Sequence, residues 1–414
     1  MKLAEELELR GFINQHTGAS VAELFGDTPR TIYHGIDPSA DSAHVGNMVV
    51  WLLLRHLVKA GHRVIFLVGG GTGMIGDPKP DAERVLSDER EVEARVQKLM
   101  VQAQRLVGGD DQSVTFVDNK AWLGKVHLIS FLRDVGKHFT INELIKKDAI
   151  AKRLQSDVGI SYTEFAYPLL QAYDYLTLYR EYGCDVQVGG SDQWGNIVSG
   201  VELVRRVEQA SVHALTTPLI IDKATGKKFG KSEGNAVWLD ADKTSPFDFY
   251  QFWLNVSDES VEEYLRIFTM LPLTEIDEVV SKWRQNPASR TAQRTLAYMV
   301  TKFVHGDVVA ERVERVTACV FGDRQVADLL AEDIDLLKQH IPYQVVTADT
   351  GVLETVVLLG LASSKREART FIQSGAIYIN GEACTDVTAT FTTYTASYVM
   401  LKRGKKQTAL VEVK

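Results

Sequence analysis

An α/β architecture is what the sequence predicts: a parallel sheet flanked by helices, followed by an all-helical span and a small α+β unit. Three observations carry this. Apolar strand-like runs alternate with helical patterns through roughly the first 220 residues. From 245 to about 337 the pattern is helical throughout. After a less regular stretch at 340–350, short helical and strand-like segments mix.

In order, residues 30–33, 62–68, 114–117 and 184–188 read as buried strands, being short, apolar and rich in Val, Ile and Phe. Residues 45–60 read as a helix that stops at Gly61. Residues 92–107 and 164–182 are helical too, and Ser161 with Glu164 forms a capping-box pattern at the start of the latter. In the last part, 352–361 and 364–373 read as helices, and 377–380 and 397–401 as strands. In a parallel sheet, ligands gather at the carboxyl ends of the strands, so chemistry is sought in the loops that follow strands.

Composition narrows the class. With 414 residues, 45% hydrophobic and 24% charged, the chain has room for two or three cored domains and is neither disordered nor fibrous. Glu5, Glu6 and Glu8 interleave the first leucines, so no secretory leader is expected. No apolar run approaches the ~18–20 residues of a membrane span. Cys184, Cys319 and Cys384 are too few and too scattered for a disulfide framework or a zinc cluster, so a reducing, cytoplasmic setting is expected. The net charge of −8 is uneven: residues 350–414 hold eight basic and five acidic residues, +3, leaving −11 for the remainder. A basic end on an acidic body is a local footprint worth following, although on charge alone a solvated helix with no partner would look the same.

The loop after the second strand, Gly69-Gly70-Gly71-Thr72-Gly73-Met74-Ile75-Gly76-Asp77-Pro78, satisfies a GxGxxG pattern. A dinucleotide site needs a helix directly behind it, and Pro78 and Pro80 intervene, so close passage of the backbone by a small ligand, with Asp77 as its charged contact, is the better reading. Residues 225–232, TGKKFGKS, miss the Walker spacing by one place and form a cationic loop, which on charge alone is also how a solvated surface loop looks. Pro38-Ser39-Ala40-Asp41-Ser42-Ala43-His44-Val45-Gly46-Asn47 leads into the first long helix and puts His44 and Asn47 at its positive end, suited to polyphosphate. Together these two segments resemble the HxGH-like and KMSKS-like signatures of class I aminoacyl-tRNA synthetases. Asn47 departs from the commoner second histidine.

On the helix that starts near 162, Tyr167, Gln171 and Asp174 share one face amid apolar neighbours. Such a stripe is usually a wet outer face, but here it reads as buried polar groups awaiting a polar ligand. Pro168 interrupts one helical hydrogen bond. In order and approximate spacing, Tyr33 to Pro38, Gly73 to Pro78, Tyr162 to Asp174, Gly189-Gly190-Ser191-Asp192-Gln193-Trp194-Gly195-Asn196 and KFGKS resemble the bacterial tyrosyl-tRNA synthetases over most of the chain.

That resemblance implies a Rossmann-like catalytic domain over 1–225 with a dimer-contact insertion at about 120–160. It implies a KFGKS loop at 226–240, an anticodon-side helical domain at 241–338, a linker at 339–350 and a small RNA-binding domain at 351–414. It implies that Tyr33 and Asp174 hold a tyrosine phenol, that Asp77, Tyr167 and Gln171 hold its ammonium, and that Gln193 lies by its carboxylate. Ser39, His44 and Asn47 would meet ATP phosphates and Asp192 the ribose, while Lys228, Lys231 and Ser232 close over pyrophosphate. Arg84 would serve tRNA, although PKPDAER departs from the family pattern. Lys365, Arg366 and Arg369 match a small RNA-binding domain. Magnesium is expected with ATP, with no protein carboxylate cluster apparent for a metal. The expected partners are tRNA(Tyr), tyrosine, ATP and a second copy of the chain, with no membrane. A dehydrogenase, a non-enzymatic RNA binder and a tryptophan-specific relative remain the rivals.

Overall fold

The computed structural model describes residues 1–414 except 27, 80, 81, 84, 85, 158, 222, 224, 225, 227, 228, 230, 233, 234, 395, 405 and 406, and except the side chains of 231, 232 and 235. Its first sheet is built from β1 (Gln15–His16), β2 (Thr31–Ile36), β3 (Arg63–Val68), β4 (Val114–Asp118), β5 (Val186–Gly190) and β6 (His213–Thr217). The order is β1-β6-β5-β2-β3-β4, with β1 antiparallel to β6 and the other pairs parallel. Four strands fall where apolar runs predicted them. β1 is two residues long and β6 reads HALTT, so neither carries an apolar run to detect.

The accompanying helices are α1 (Leu3–Arg10), α2 (Val21–Leu24), α3 (Val45–Lys59), α4 (Glu89–Val107), α5 (Lys120–Leu123), α6 (Leu128–Asp134), α7 (Ile141–Leu144), α8 (Asp148–Leu154), α9 (Tyr162–Tyr182) and α10 (Trp194–Glu208). α3 buries nearly everything from Met48 to Leu54, with Trp51 edge-on to Phe66 of β3 at 5.5 Å between ring centroids. Gly61 ends it with φ +89°, a conformation that favours glycine. α9 runs unbroken through Pro168. Its start has half of the expected capping box: the Ser161 hydroxyl accepts from the Glu164 amide at 3.3 Å, but the Glu164 carboxylate turns to Arg153.

The helical span holds α11 (Pro246–Leu254), α12 (Val261–Phe268), α13 (Leu273–Gln285), α14 (Thr291–His305), α15 (Asp307–Phe321) and α16 (Ala331–His340). The chain divides into one unit of Met1–Ser245 with Phe252–Val304 and another of Pro246–Gln251 with His305–Lys414. In the first, buried Arg10 of α1 donates to the carbonyls of Arg266, Thr269 and Leu271 and so ties α12 to the sheet domain.

The second unit adds α17 (Val352–Leu358) and α18 (Lys365–Gln373) to a sheet of β9 (Tyr343–Val346), β10 (Ile377–Ile379), β11 (Glu382–Cys384), β12 (Tyr398–Arg403) and β13 (Gln407–Val413), in the order β11-β10-β12-β13-β9. The stretch at 339–350, expected as a linker, thus supplies a strand that pairs parallel with β13. Its residues YQVV are too few to register as a strand without a partner. Lys402 of β12 donates to the carbonyls of Cys319 and Gly322 and caps the negative end of α15.

Candidate active site

Strand order reverses between β5 and β2, with β3 continuing on the far side of β2. The loops leaving β2, β3 and β5 therefore diverge at a switch point and leave a crevice at the carboxyl ends of the strands. A cavity of about 1050 Å³ lies there. Tyr33, Ser39, His44, Asn47, Asp77, Tyr167, Gln171, Asp174, Asp192 and Gln193, from four separate stretches of sequence, all line it.

Its floor is a hydrogen-bonded network that begins on α9. Asp174 is 2% exposed and accepts at 2.8 Å from the Trp122 indole and at 2.9 Å from Asn119 Nδ2. Burial pushes its carboxyl up to about 7 against the pull of those two donors, with Asp37 and Asp118 adding to the rise. Burial, and then the nearby Asp174, hold the Tyr33 phenol well above its ordinary range, so it stays a donor. Asn119 is fully used: its oxygen accepts from the Gly71 and Thr72 amides and its nitrogen also donates to Thr72 Oγ1. Thr72 passes the chain to Asp37 Oδ1 at 2.7 Å, and Tyr167 donates to Asp37 Oδ2 at 2.7 Å. Asp77 accepts from Gln193 at 2.9 Å and from Asn196 at 3.1 Å. Gln171 Oε1 is buried and has no hydrogen-bond partner among the described residues.

This geometry explains the glycine run differently from a ligand grazing the backbone. A Cβ on Gly69 would lie 2.3 Å from Asp37 Oδ1, and one on Gly70 would lie 2.3 Å from Asp118 Oδ1. The glycines admit carboxylates of the protein itself, and Gly70 donates its amide to Asp118. Among the described residues, only a short 3₁₀ turn, Thr72–Met74, follows and no long helix begins before α4, so the dinucleotide reading loses its anion-binding helix.

At the other end of the cavity, His44 is the N-cap of the 15-residue α3. Its Nδ1 accepts from the Gly46 amide at 3.0 Å, and Asn47 Oδ1 accepts from the His44 amide at 3.0 Å, a capping box that commits the oxygen of Asn47 and keeps Nδ2 as its donor end. Asp192 is exposed at the rim of the pocket.

Arg84 and Lys228 fall outside the described residues, as do the side chains of Lys231 and Ser232, whose backbone forms a strand paired with Asn235–Ala236. Lys365, Arg366 and Arg369 are exposed on α18, and Lys365 pairs with Glu354 at 2.6 Å. Among the described residues, no three His, Cys, Asp or Glu side chains gather as a metal site, and no helix is long and apolar enough to cross a membrane.

Sequence reasoning missed Asp37, Thr72, Asn119, Trp122 and Asn196. Asn119 and Trp122 directly follow β4, so the rule of searching loops after strands could have found them. It also missed Arg153, whose guanidinium is 1% exposed and donates to the carbonyls of Lys79, Ala82 and Gly159 and to Glu164. One side chain thereby ties the segment after Asp77 to the first turn of α9.

Comparison with known proteins identifies the family. The family of class I tRNA synthetases (W and Y) matches residues 27–322, and a tyrosine–tRNA ligase C-terminal domain family matches 333–411. A tyrosine–tRNA ligase of Streptococcus mutans is 44% identical over 98% of this chain and 99% of its own, and one of Staphylococcus epidermidis is 46% identical over 99% and 98%. A C-terminally truncated mitochondrial tyrosyl-tRNA synthetase of Aspergillus nidulans superposes with a TM-score of 0.67 at 32% identity, over 75% of this chain and 92% of that one. With a family match across most of its length and relatives this similar from end to end, the chain belongs to the class I tRNA synthetases (W and Y), as a member of the tyrosine–tRNA ligases.

Proposed function

We propose that the cavity joins L-tyrosine and ATP as tyrosyl-adenylate, releasing pyrophosphate, and then passes the tyrosyl group to the 3′-terminal ribose of tRNA(Tyr). The observation that carries this is Asp174, a buried carboxylate beside the Tyr33 phenol on the floor of a polar cavity. A substrate phenol can donate to Asp174 while accepting from Tyr33. Its ammonium finds the Asp77 carboxylate, the lone pairs of the Tyr167 oxygen and the unpartnered Gln171 Oε1. Gln193 then lies beside the substrate carboxylate.

That carboxylate attacks the α-phosphorus of ATP, the bond to the β-phosphate oxygen breaks, and pyrophosphate leaves. Both reactants bring their own functional groups, so alignment and charge stabilisation suffice. ATP enters as its magnesium complex. The positive end of α3, with Ser39, His44 and Asn47 Nδ2, faces the phosphates, and Asp192 faces the ribose. Lys228, Lys231 and Ser232 close over the departing pyrophosphate. A 3′-terminal hydroxyl of the tRNA ribose then attacks the adenylate carbonyl and displaces AMP. Lys365, Arg366, Arg369 and Arg84 supply phosphate contacts to that tRNA.

A cytoplasmic homodimer is the working form in this reading. Within 131–144, Val135 and Leu144 are buried, but Leu132 and Ile141 are exposed, and Leu128 and Ile129 just before them are exposed as well. An apolar face of this kind suits a second copy of the chain. A monomer by light scattering at micromolar concentration would remove the dimer. Tyrosine-dependent ATP–pyrophosphate exchange, without comparable exchange for phenylalanine or tryptophan, tests the activity itself.

A further inference from the structure

The segment from 237 to 239 lies antiparallel to the turn that carries His44. The Val45 amide donates to the Val237 carbonyl at 3.0 Å, and the Leu239 amide donates to the Ala43 carbonyl at 2.9 Å. His44 and Trp238 are therefore opposed between these two bonds, the arrangement in which facing side chains stand closest. Their rings meet edge to face at 6.1 Å and 63°. The indole is fixed in turn: Lys243 Nζ sits 5.4 Å over its ring, and the Trp238 amide donates to Thr244 Oγ1. Asp41, in the same turn as His44, holds Lys243 at 2.6 Å with one oxygen and Lys98 at 3.1 Å with the other. The contacts close a ring from Asp41 through Lys243 and Trp238 back to His44.

We propose that Trp238 is a positioning residue for the phosphate end of the cavity, setting the angle of the His44 imidazole, with Asp41 and Lys243 holding the indole in place. This rests on the reading above in which His44 faces the ATP phosphates. Trp238 lines the cavity, so its indole stands at the site rather than in the hydrophobic core. An imidazole held at one angle acts without reorganising in the transition state, whereas tyrosine binds at the opposite end and is indifferent to it.

The test is tyrosine-dependent pyrophosphate exchange and equilibrium tyrosine binding on the full-length protein. Trp238→Leu should lower kcat for exchange roughly three- to tenfold, the worth of one aromatic pair. Tyrosine affinity should stay within about twofold, and Trp238→Phe should recover most of the rate. In a His44→Ala background, Trp238→Leu should cost nothing further. Losses that multiply in the double variant, no rescue by phenylalanine, or an equal loss of tyrosine affinity would overturn the proposal. An exchange rate unchanged by His44→Ala would instead overturn the phosphate reading, whatever Trp238 does. Should Trp238→Leu fail to fold, Lys243→Gln keeps the indole and allows the same comparison. A loss of about twofold that vanishes in the His44→Ala background supports the proposal, and one that persists there overturns it.

Discussion

Trp122 donates its indole hydrogen to Asp174 Oδ1 at 2.8 Å, and the carboxylate it supports lies on the cavity floor, 2% exposed. Two neutral donors, from Trp122 and Asn119, offset only part of the desolvation, so the group rests at about 7.

Asp174→Ala, and less strongly Tyr33→Phe, should erode the preference for tyrosine over phenylalanine. A site built to bond a hydroxyl rejects the analogue without it by ~10⁴ to 10⁵, a magnitude borrowed from this same enzyme family. The ratio of kcat/KM values for the two amino acids in pyrophosphate exchange measures it. Discrimination unchanged in both variants would remove the phenol assignment.

Tyrosine binding should weaken as pH falls through about 7. The carboxyl is raised, so the free protein takes up a proton there as pH drops, and the acceptor for the substrate phenol is lost. Below the midpoint, affinity should drop about tenfold per pH unit, and in Asp174→Asn that slope should disappear. Asn119→Ala removes a donor that lowers this pKa, so the midpoint should move upward. Equilibrium dialysis across pH 5.5 to 8.5 reads all three, and a flat wild-type profile would contradict them.

Lys231→Ala should slow adenylate formation by roughly a hundredfold or more while leaving tyrosine affinity nearly unchanged, as expected for a charge that meets only the departing pyrophosphate. Single-turnover measurements separate the two. Equal losses in rate and affinity would place Lys231 elsewhere.

Removing the small C-terminal module should spare pyrophosphate exchange and impair tRNA charging. Because β9 belongs to that module's sheet, the cut has to come before Pro342 rather than at 350. Phosphate contacts make charging by the intact chain fall steeply with salt, and replacing Lys365, Arg366 and Arg369 together should flatten that slope. Undiminished charging by the shortened chain would deny the module its role.

The sequence was most readable where one residue's chemistry stands alone. Val45–Lys59 could be drawn from its apolar density and Gly61, and Tyr167, Gln171 and Asp174 could be put on one face by spacing. It was least readable where a contact crosses the chain. Asn119 means nothing without Thr72 and Asp174, which stand 47 and 55 residues away. The glycines at 69 and 70 looked like room for a ligand because the carboxylates that fill the space, Asp37 and Asp118, come from other strands. β9 and β6 are short and mixed in composition, and only their neighbours in the sheet make them strands.

The Arg153–Glu164 pair has a consequence for how such sequences diverge. Both groups are sealed from water, and the guanidinium also carries three backbone carbonyls. Losing either partner alone strands a buried charge, at a cost of roughly 3–5 kcal/mol, and exchanging both for apolar residues removes the charges but leaves the carbonyls of Lys79, Ala82 and Gly159 without this donor. Substitution at one position should therefore be viable mainly in lineages that have also changed the other. In an alignment of relatives, positions 153 and 164 should drift together, and the length and composition of the segment around Lys79 and Ala82 should change with them, since its carbonyls depend on the same guanidinium.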